Sequence, residues 1–313
     1  MRLIVTGAAG FIGSHFLEMA LQQEAYEKKF ENIIVIDSLT YASDLNFLKL
    51  LQSQYNFEFI KASITEQSTL EKAINTGDIV VNFAAESHVD NSLKDSSSFL
   101  TSNVLGVGTL LEICKSKDVY KFVQISTDEV YGSILQGSWE ESQNLDPNSP
   151  YSASKAAADL LAISFFRSHK IPIVITRSSN NFGPRQNIEK FVPVVITKIL
   201  NGKEIPLYGS GENIRDWIFV EDNVRAIWKI TMESEPGNIY HVGGGNEISN
   251  LSLIELIGSI TGIKPKIAFI EDRKAHDFRY SISTQKIRDE LSFHLNYSLE
   301  DGLKKTIQYF QKR

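Results

Sequence analysis

The segment "STDEVYG", Ser126–Gly132, follows the apolar run "KFVQI" and sets Thr127, Asp128 and Glu129 side by side at the end of an expected buried strand. Neighbouring carboxyls in a partly dry site do not readily ionise together, so one proton held between them is their natural state. Such a couple can accept a proton from one atom and donate one to an adjacent leaving oxygen. Farther along, "SPYSASK" carries Tyr151 and Lys155 at i and i+4 near a helix start, which stacks both side chains on one face. A tyrosine at its ordinary pKa of about 10 is a poor base near neutrality. A nearby ammonium, a cationic nicotinamide and a helix N-terminus all favour its phenolate. The pair could then take a proton from a sugar hydroxyl while hydride leaves to NAD.

A cradle for that cofactor stands at the front of the chain. "TGAAGFIG" spaces Gly7, Gly10 and Gly13 between the first expected strand and the first expected helix. Gly7 permits the tight turn, Gly10 lets a pyrophosphate approach backbone N–H groups, and Gly13 allows close helix–strand packing. Asp37 closes the second strand, "IIVID", where a carboxylate accepts from a ribose 2′-hydroxyl and repels a 2′-phosphate, favouring NAD over NADP.

The elements that must position these groups follow a clear rhythm. "RLIVTG", "NIIVID", "FEFIKAS", "DIVVNFAA", "KFVQIST" and "IPIVITRSS" read as strands. "FIGSHFLEMALQQ", "TLEKAIN", "SFLTSNVLGVGTLLEICKS" and a segment from Ser152 to about Arg167 read as the helices between them. Apolar strands alternating with helices predict an α/β fold, a Rossmann-type doubly wound parallel sheet. Beyond about Gly183 the rhythm loosens into loops and short helices, including "EIPLYGSG", "DWIFVEDNVRAIWKITM" and "NIYHVGG", and "NLSLIELIGSITG" reads as a further helix. The expected division is residues 1–180 as an NAD-binding domain carrying the catalytic residues and 181–313 as a smaller α/β lobe, with some chain crossing between them.

Composition narrows the function classes. The 313 residues are 42% hydrophobic and 22% charged with a net charge of −6, and no Lys/Arg block is dense enough for nucleic acid or lipid. No nucleic-acid or membrane partner is expected, and no apolar run reaches membrane-spanning length. The single cysteine, Cys114, excludes an internal disulfide and a multi-cysteine metal site, suits a reducing cytoplasm, and reads as a small buried hydrophobe. No metal site is expected.

The glycine spacing, the acidic strand end and the Tyr–Lys pair resemble the extended short-chain dehydrogenase/reductase family over nearly the whole chain. "FAAESHVDNSL", "STDEVYG", "SPYSASKAAAD", "NNFGP", "EKFVP", "IRDWIFVED" and "HDFRY" narrow the resemblance to its dTDP-glucose 4,6-dehydratases. Epimerases of the family need no acid pair. A dehydratase needs one, because a C4 ketone acidifies the C5 proton and the C6 hydroxyl must leave. The resemblance implies Tyr151 as the C4 base, tuned by Lys155, which also holds the nicotinamide ribose. It implies Asp128 as the acid at C6, Glu129 as the base at C5 and Thr127 as partner of the C4 oxygen. Around the cofactor it implies Phe11 and Ile12 in the cradle, then Ser38, Leu39 and Thr40 after the second strand. Ser63 and Ile64 follow the third strand, and Phe83, Ala84, Ala85 and Ser87 the fourth, with Ser126 before the acid pair. For the nucleotide-diphosphate hexose it implies Ser87, His88, Asn180, Glu189 and Lys190, and farther out Pro206, Tyr208, Arg215, Asn250, Arg279 and Tyr280. The two arginines match paired phosphoryl oxygens, although an ion pair on the surface is the other reading of each. His88 and His276 are as readily core histidines. A homodimer through the "SFLTSNVLGVGTLLEICK" and Tyr151 helices is implied as well. That the lobe 181–313 mainly binds a nucleotide sugar is implied only by this resemblance.

The chain departs from that pattern in three places, the least of them in "YASDLNFL", whose changes from the family's form are small and lie near the cofactor. Ser63 stands in "ASI" where a carboxylate facing the adenine amino group is expected, and a hydroxyl can accept the same hydrogen bond. Arg185, Gln186 and Asn187 in "GPRQNIEK" replace an aromatic-containing loop that touches the substrate, which leaves open another hexose or amino sugar, on a UDP or CDP carrier as well as on dTDP. A C4 epimerase or a decarboxylase is the less favoured alternative, and a module that only senses NAD is disfavoured by the presence of both Tyr151 and Lys155.

Overall fold

The computed structural model describes residues 1–27, 29–272 and 276–312. Six short β-branched runs form β1 (Leu3–Thr6), β2 (Ile33–Asp37), β3 (Glu58–Lys61), β4 (Ile79–Asn82), β5 (Lys121–Thr127) and β6 (Ile173–Ser178). They lie in the order β6-β5-β4-β1-β2-β3, every neighbouring pair parallel. Two apolar layers cover the two faces. Along β1, Leu3 and Val5 join one core cluster while Ile4 joins the other, as strict alternation across a doubly covered sheet requires.

The sheet does not end at β6. Strand Ile239–Val242 pairs parallel with it, Ile239 opposite Ile175 and Val242 opposite Ser178. This corrects the sequence expectation of loops and short helices past Gly183. "EIPLY", "IRDWIF" and "IYHV" are strands, because each finds a partner far away in sequence that local pattern does not reveal. Glu204–Tyr208 pairs parallel with Lys266–Ile270, and Ile214–Phe219 lies between Asn180–Phe182 and the antiparallel Glu247–Ser249. Helices Phe191–Leu200, Val220–Glu233, Asn250–Thr261, Gln285–Leu291 and Leu299–Gln311 complete the described residues of this part of the chain.

The helix expected after β4 runs from Ser97 to Lys117, with a π-helical stretch over Leu100–Gly106. At 21 residues it is apolar and long enough by composition to cross a bilayer, against the sequence expectation. Its Val107, Leu110, Leu111 and Ile113 are nevertheless buried on the sheet. Cys114 is buried beside them, and burial pushes its thiol pKa up, away from a reactive thiolate.

One buried ion pair ties this framework to helix Pro150–His169. Arg177 on β6 is 1% exposed, and its Nε donates to Asp159 Oδ2 at 2.9 Å across to helix Pro150–His169. Arg177 also donates to the Tyr131 hydroxyl, which meets His241 Nε2 at 2.7 Å. Removing one member of a buried pair strands the other charge. Arg177→Ala is therefore expected to destabilise the protein by about 3–5 kcal/mol, and the Arg177→Met/Asp159→Leu double variant by clearly less. Urea unfolding of both checks the order.

Candidate functional site

Strand ends β1 to β6 surround a cavity of about 320 Å³ at the carboxyl edge of the sheet, where the strand order reverses between β1 and β4 and where open α/β sheets bind ligands. Gly7, Gly10, Phe11, Ile12 and Gly13 line its inner wall. Gly7 has φ +68°, and a Cβ there would lie 2.5 Å from the Ala84 backbone N. At Gly13 a Cβ would collide with the Gly7 carbonyl oxygen. Both positions require glycine, and the turn packs strand against helix tightly enough to present backbone N–H groups to an anion.

Asp37 is buried in the wall and organises the turn. Its Oδ2 accepts from Ala9 N at 2.9 Å, and its Oδ1 accepts from Leu39 N at 2.8 Å and from Ser43 Oγ at 3.1 Å. Ser38, Thr40, Ser63, Ile64, Phe83 and Ala84 line the same cavity, as do Ala85, Ser87, Ser126 and Lys155. Leu39 is outside the lining, its backbone at φ +57°. Ser63 Oγ lies 2.8 Å from Thr65 Oγ1. The buried Ser126 Oγ faces the cavity without a protein partner. A glycine cradle, an acidic strand end and an unsatisfied hydroxyl together fit a dinucleotide.

The chemistry-bearing residues meet at the junction of β5 and helix Pro150–His169. Strand β5 ends at Thr127, and Asp128–Tyr131 turn at once into a single 3₁₀ turn. Thr127 Oγ1 donates to Asp128 Oδ1 at 3.2 Å and accepts from Glu129 N at 3.3 Å. Asp128 is 2% exposed and its Oδ2 has no partner. Burial, then the charge of Glu129, then that of Asp216 push its pKa well above the ordinary carboxylate range. All three causes favour the protonated form of Asp128.

Helix Pro150–His169 starts in a capping box, with Ser149 Oγ accepting from Ser152 N and Ser152 Oγ from Ser149 N, each at 3.1 Å. This places Tyr151 in the first turn and Lys155 one turn on, both in the cavity wall. Asn103, on the π-helical stretch, donates to Ser154 Oγ at 2.8 Å and to the Glu86 carbonyl at 3.0 Å, joining that helix to the wall after β4. Lys155 Nζ donates to the Ile125 carbonyl at 2.6 Å, and burial lowers its pKa to about 8. One expectation reverses here. Tyr151 is not shifted toward phenolate by the protein itself: burial, then the charges of Glu129 and Asp128, raise its pKa, and a hydrogen bond with Thr127 opposes them only in part.

The expected substrate residues divide into two groups. Ser87, His88, Thr127, Asn180, Glu189 and Lys190 line the cavity, and Lys190 Nζ donates to the Ser87 carbonyl at 2.8 Å. Pro206, Tyr208, Arg215, Asn250, Arg279 and Tyr280 lie outside it. The Arg215 guanidinium stacks 4.4 Å over Tyr280 and donates to the Asp277 and Phe278 carbonyls. Arg279 pairs with Glu247 at 2.5 Å, which is the ion-pair reading of that residue. His276 Nδ1 lies 2.6 Å from Asp272 Oδ1, away from the cavity. In the variant loop Gln186 and Asn187 face the cavity while Arg185 turns away to Glu18. Tyr41 and Ser43, in the "YASDLNFL" segment expected near the cofactor, line the cavity without having been assigned singly, and sequence reading missed Glu86, Ser178, Ser179 and Asn181 in the lining. Adjacency to "SHVD" and to the first Asn of "NNFGP" was a usable signal for Glu86 and Asn181.

Comparison with known proteins agrees with this geometry. The family model described as GDP-mannose 4,6 dehydratase matches residues 4–306. A dTDP-glucose 4,6-dehydratase of Streptomyces niveus is 40% identical over 312 residues, 99% of this chain and 93% of that one. A low-salt glycan biosynthesis protein of Haloferax volcanii is 41% identical over 311 residues, 99% and 98% of the two chains. The crystal structure of the dTDP-glucose 4,6-dehydratase DesIV of Streptomyces venezuelae, with NAD and dTDP bound, superposes with a TM-score of 0.96 at 42% identity, covering 100% of this chain and 98% of that one. The chain belongs to the nucleotide-sugar 4,6-dehydratases of the extended short-chain dehydrogenase/reductase family, in the branch that contains the dTDP-glucose enzymes.

Proposed function

We propose that this chain is an NAD-dependent hydro-lyase that converts a nucleotide-activated hexose, dTDP-glucose foremost, to its 4-keto-6-deoxy product. The observation that carries the reading is the Asp128–Glu129 pair, with Asp128 buried and its protonated form favoured, in one cavity with Tyr151, Lys155 and the glycine cradle.

Gly7, Gly10, Gly13, Asp37 and Lys155 would hold NAD, which would supply an acceptor for the C4 hydride and the donor that returns it to C6, and whose positive charge would favour ionised Tyr151 against the burial that opposes it. Tyr151 takes the proton of the C4 hydroxyl, and Thr127 holds the C4 oxygen. Glu129 takes the C5 proton once it is acidified by the C4 ketone. Asp128 gives its proton to the departing C6 oxygen. Ser87, His88 and Asn180 surround the hexose, and Glu189 and Lys190 the nucleotide's sugar or phosphate. Arg215, Arg279, Asn250 and Tyr280 belong to the outer nucleotide path in this reading, which requires Arg279 to exchange Glu247 for phosphate. Lobe boundaries at 1–180 and 181–313 are part of the same reading, with Ile239–Val242 returning to the first lobe.

A homodimer in the cytoplasm completes the proposal. Leu100, Leu105 and Leu160, on helices Ser97–Lys117 and Pro150–His169, are 52%, 64% and 57% exposed, apolar surface that a second copy would cover.

Deuterium at C4 of dTDP-glucose is expected on the C6 methyl of the product, and its loss to solvent would refute the hydride route. Asp128→Asn/Glu129→Gln is expected to form traces of NADH and no 4-keto-6-deoxy product by mass and alkaline ultraviolet absorbance. Lys155 carries its charge below its pKa of about 8 and loses it above, so kcat/KM is expected to decline above about pH 8. A profile level to about pH 10 would remove Lys155 from that role.

A further inference from the structure

The loop from Gly183 to Lys190 supplies Gln186, Asn187, Glu189 and Lys190 to the cavity wall, and Arg185 leaves it in the opposite direction. Arg185 Nη2 lies 2.8 Å from Glu18 Oε2, and its Cζ sits 3.8 Å from the centre of the Phe47 ring. One residue earlier, the Pro184 carbonyl accepts from His15 Nε2 at 2.8 Å. Burial and the Arg185 charge push the His15 pKa down to about 3. Its imidazole is therefore neutral across the working range and keeps a single N–H for that carbonyl.

His15 and Glu18 are one turn apart on helix Phe11–Glu27, which begins in the glycine cradle. The substrate loop is thus fastened by two adjacent residues to the helix that receives the cofactor. The fastening also overrides backbone preference. Arg185 has φ +65°, a left-handed conformation that a long side chain adopts only where its surroundings impose it. Beside it, Gln186 is 9% exposed and donates from Nε2 to the Asn181 carbonyl at 2.8 Å, while its buried Oε1 has no partner.

Resting on the sugar-nucleotide reading above, we propose that Arg185 is a positioning residue: its clamp between Glu18 and Phe47 holds Gln186 and Asn187 against the bound nucleotide sugar. Affinity for that ligand depends on the clamp, while bond breaking stays with β5 and helix Pro150–His169. The energetic reason is ordering. A loop already fixed in its bound shape loses little conformational freedom when the ligand arrives. A polar atom such as Gln186 Oε1 also discriminates among hydroxyl patterns only if its place is fixed.

The test uses the NAD-loaded protein, with dTDP binding by calorimetry beside KM and kcat for dTDP-glucose. Arg185→Asn keeps a residue that tolerates the left-handed backbone. It is expected to weaken dTDP binding and raise KM by about ten-fold, with kcat changed less than about two-fold and the melting temperature unchanged. Glu18→Gln should move the same constants in the same direction, and the double variant should be no worse than Arg185→Asn alone, because both act through one contact. Unchanged dTDP affinity in Arg185→Asn, or fully additive losses in the double variant, would overturn the clamp. If Arg185→Asn does not fold, Glu18→Gln decides by the same two constants. Binding of dTDP by the unaltered protein without turnover of dTDP-glucose would defeat the enzymatic reading and leave the clamp open to the same measurements.

Discussion

The whole arrangement depends on keeping one carboxylic acid protonated at the end of a buried strand. Asp128 has no protein partner for Oδ2, sits against Glu129, and is removed from water by the turn that contains it. Burial and the neighbouring charge each raise the cost of ionising Asp128 and favour its protonated form, which is the form the proposed elimination requires. The backbone reaches that state because β5 delivers Thr127 and Asp128 to the rim and a 3₁₀ turn follows immediately.

The same burial sets a problem at Tyr151. Its acidity is pushed the wrong way by the two carboxyls that the elimination needs. The acid pair and the tyrosine proposed as base are therefore in electrostatic conflict within one cavity. The hydrogen bond with Thr127 compensates only in part, and Lys155 is itself buried with its pKa lowered to about 8. The arrangement belongs to a cofactor-loaded protein, in which an added positive charge shifts the balance.

How much of this was legible in the chain follows from the range of the interactions. The doubly wound sheet was, because β-branched runs and amphipathic helices alternate locally from Leu3 to Ser178. The glycine cradle, Asp37, the acid pair and Tyr151–Lys155 were, because turn geometry and i, i+4 spacing are local as well. The strands Glu204–Tyr208 and Ile239–Val242 were not, since their pairing partners are distant in sequence. Nor was the direction of the Tyr151 shift, which depends on burial, nor the outward turn of Arg185, which depends on Glu18 and Phe47 meeting it.

The strand Ile239–Val242 also has a bearing on biogenesis. During synthesis, β6 emerges well before the segment that covers its free edge, and helix Val220–Glu233, which packs on the first helix, is made in between. The nucleotide-binding half thus carries an exposed ladder of backbone donors and acceptors until three quarters of the chain has left the ribosome. A nascent or truncated chain stopping short of Ile239 keeps that ladder available for pairing with another molecule. Pairing of Ile239–Val242 moves the edge of the sheet from β6 to a strand of four residues, and a short edge is a poorer template for a second chain.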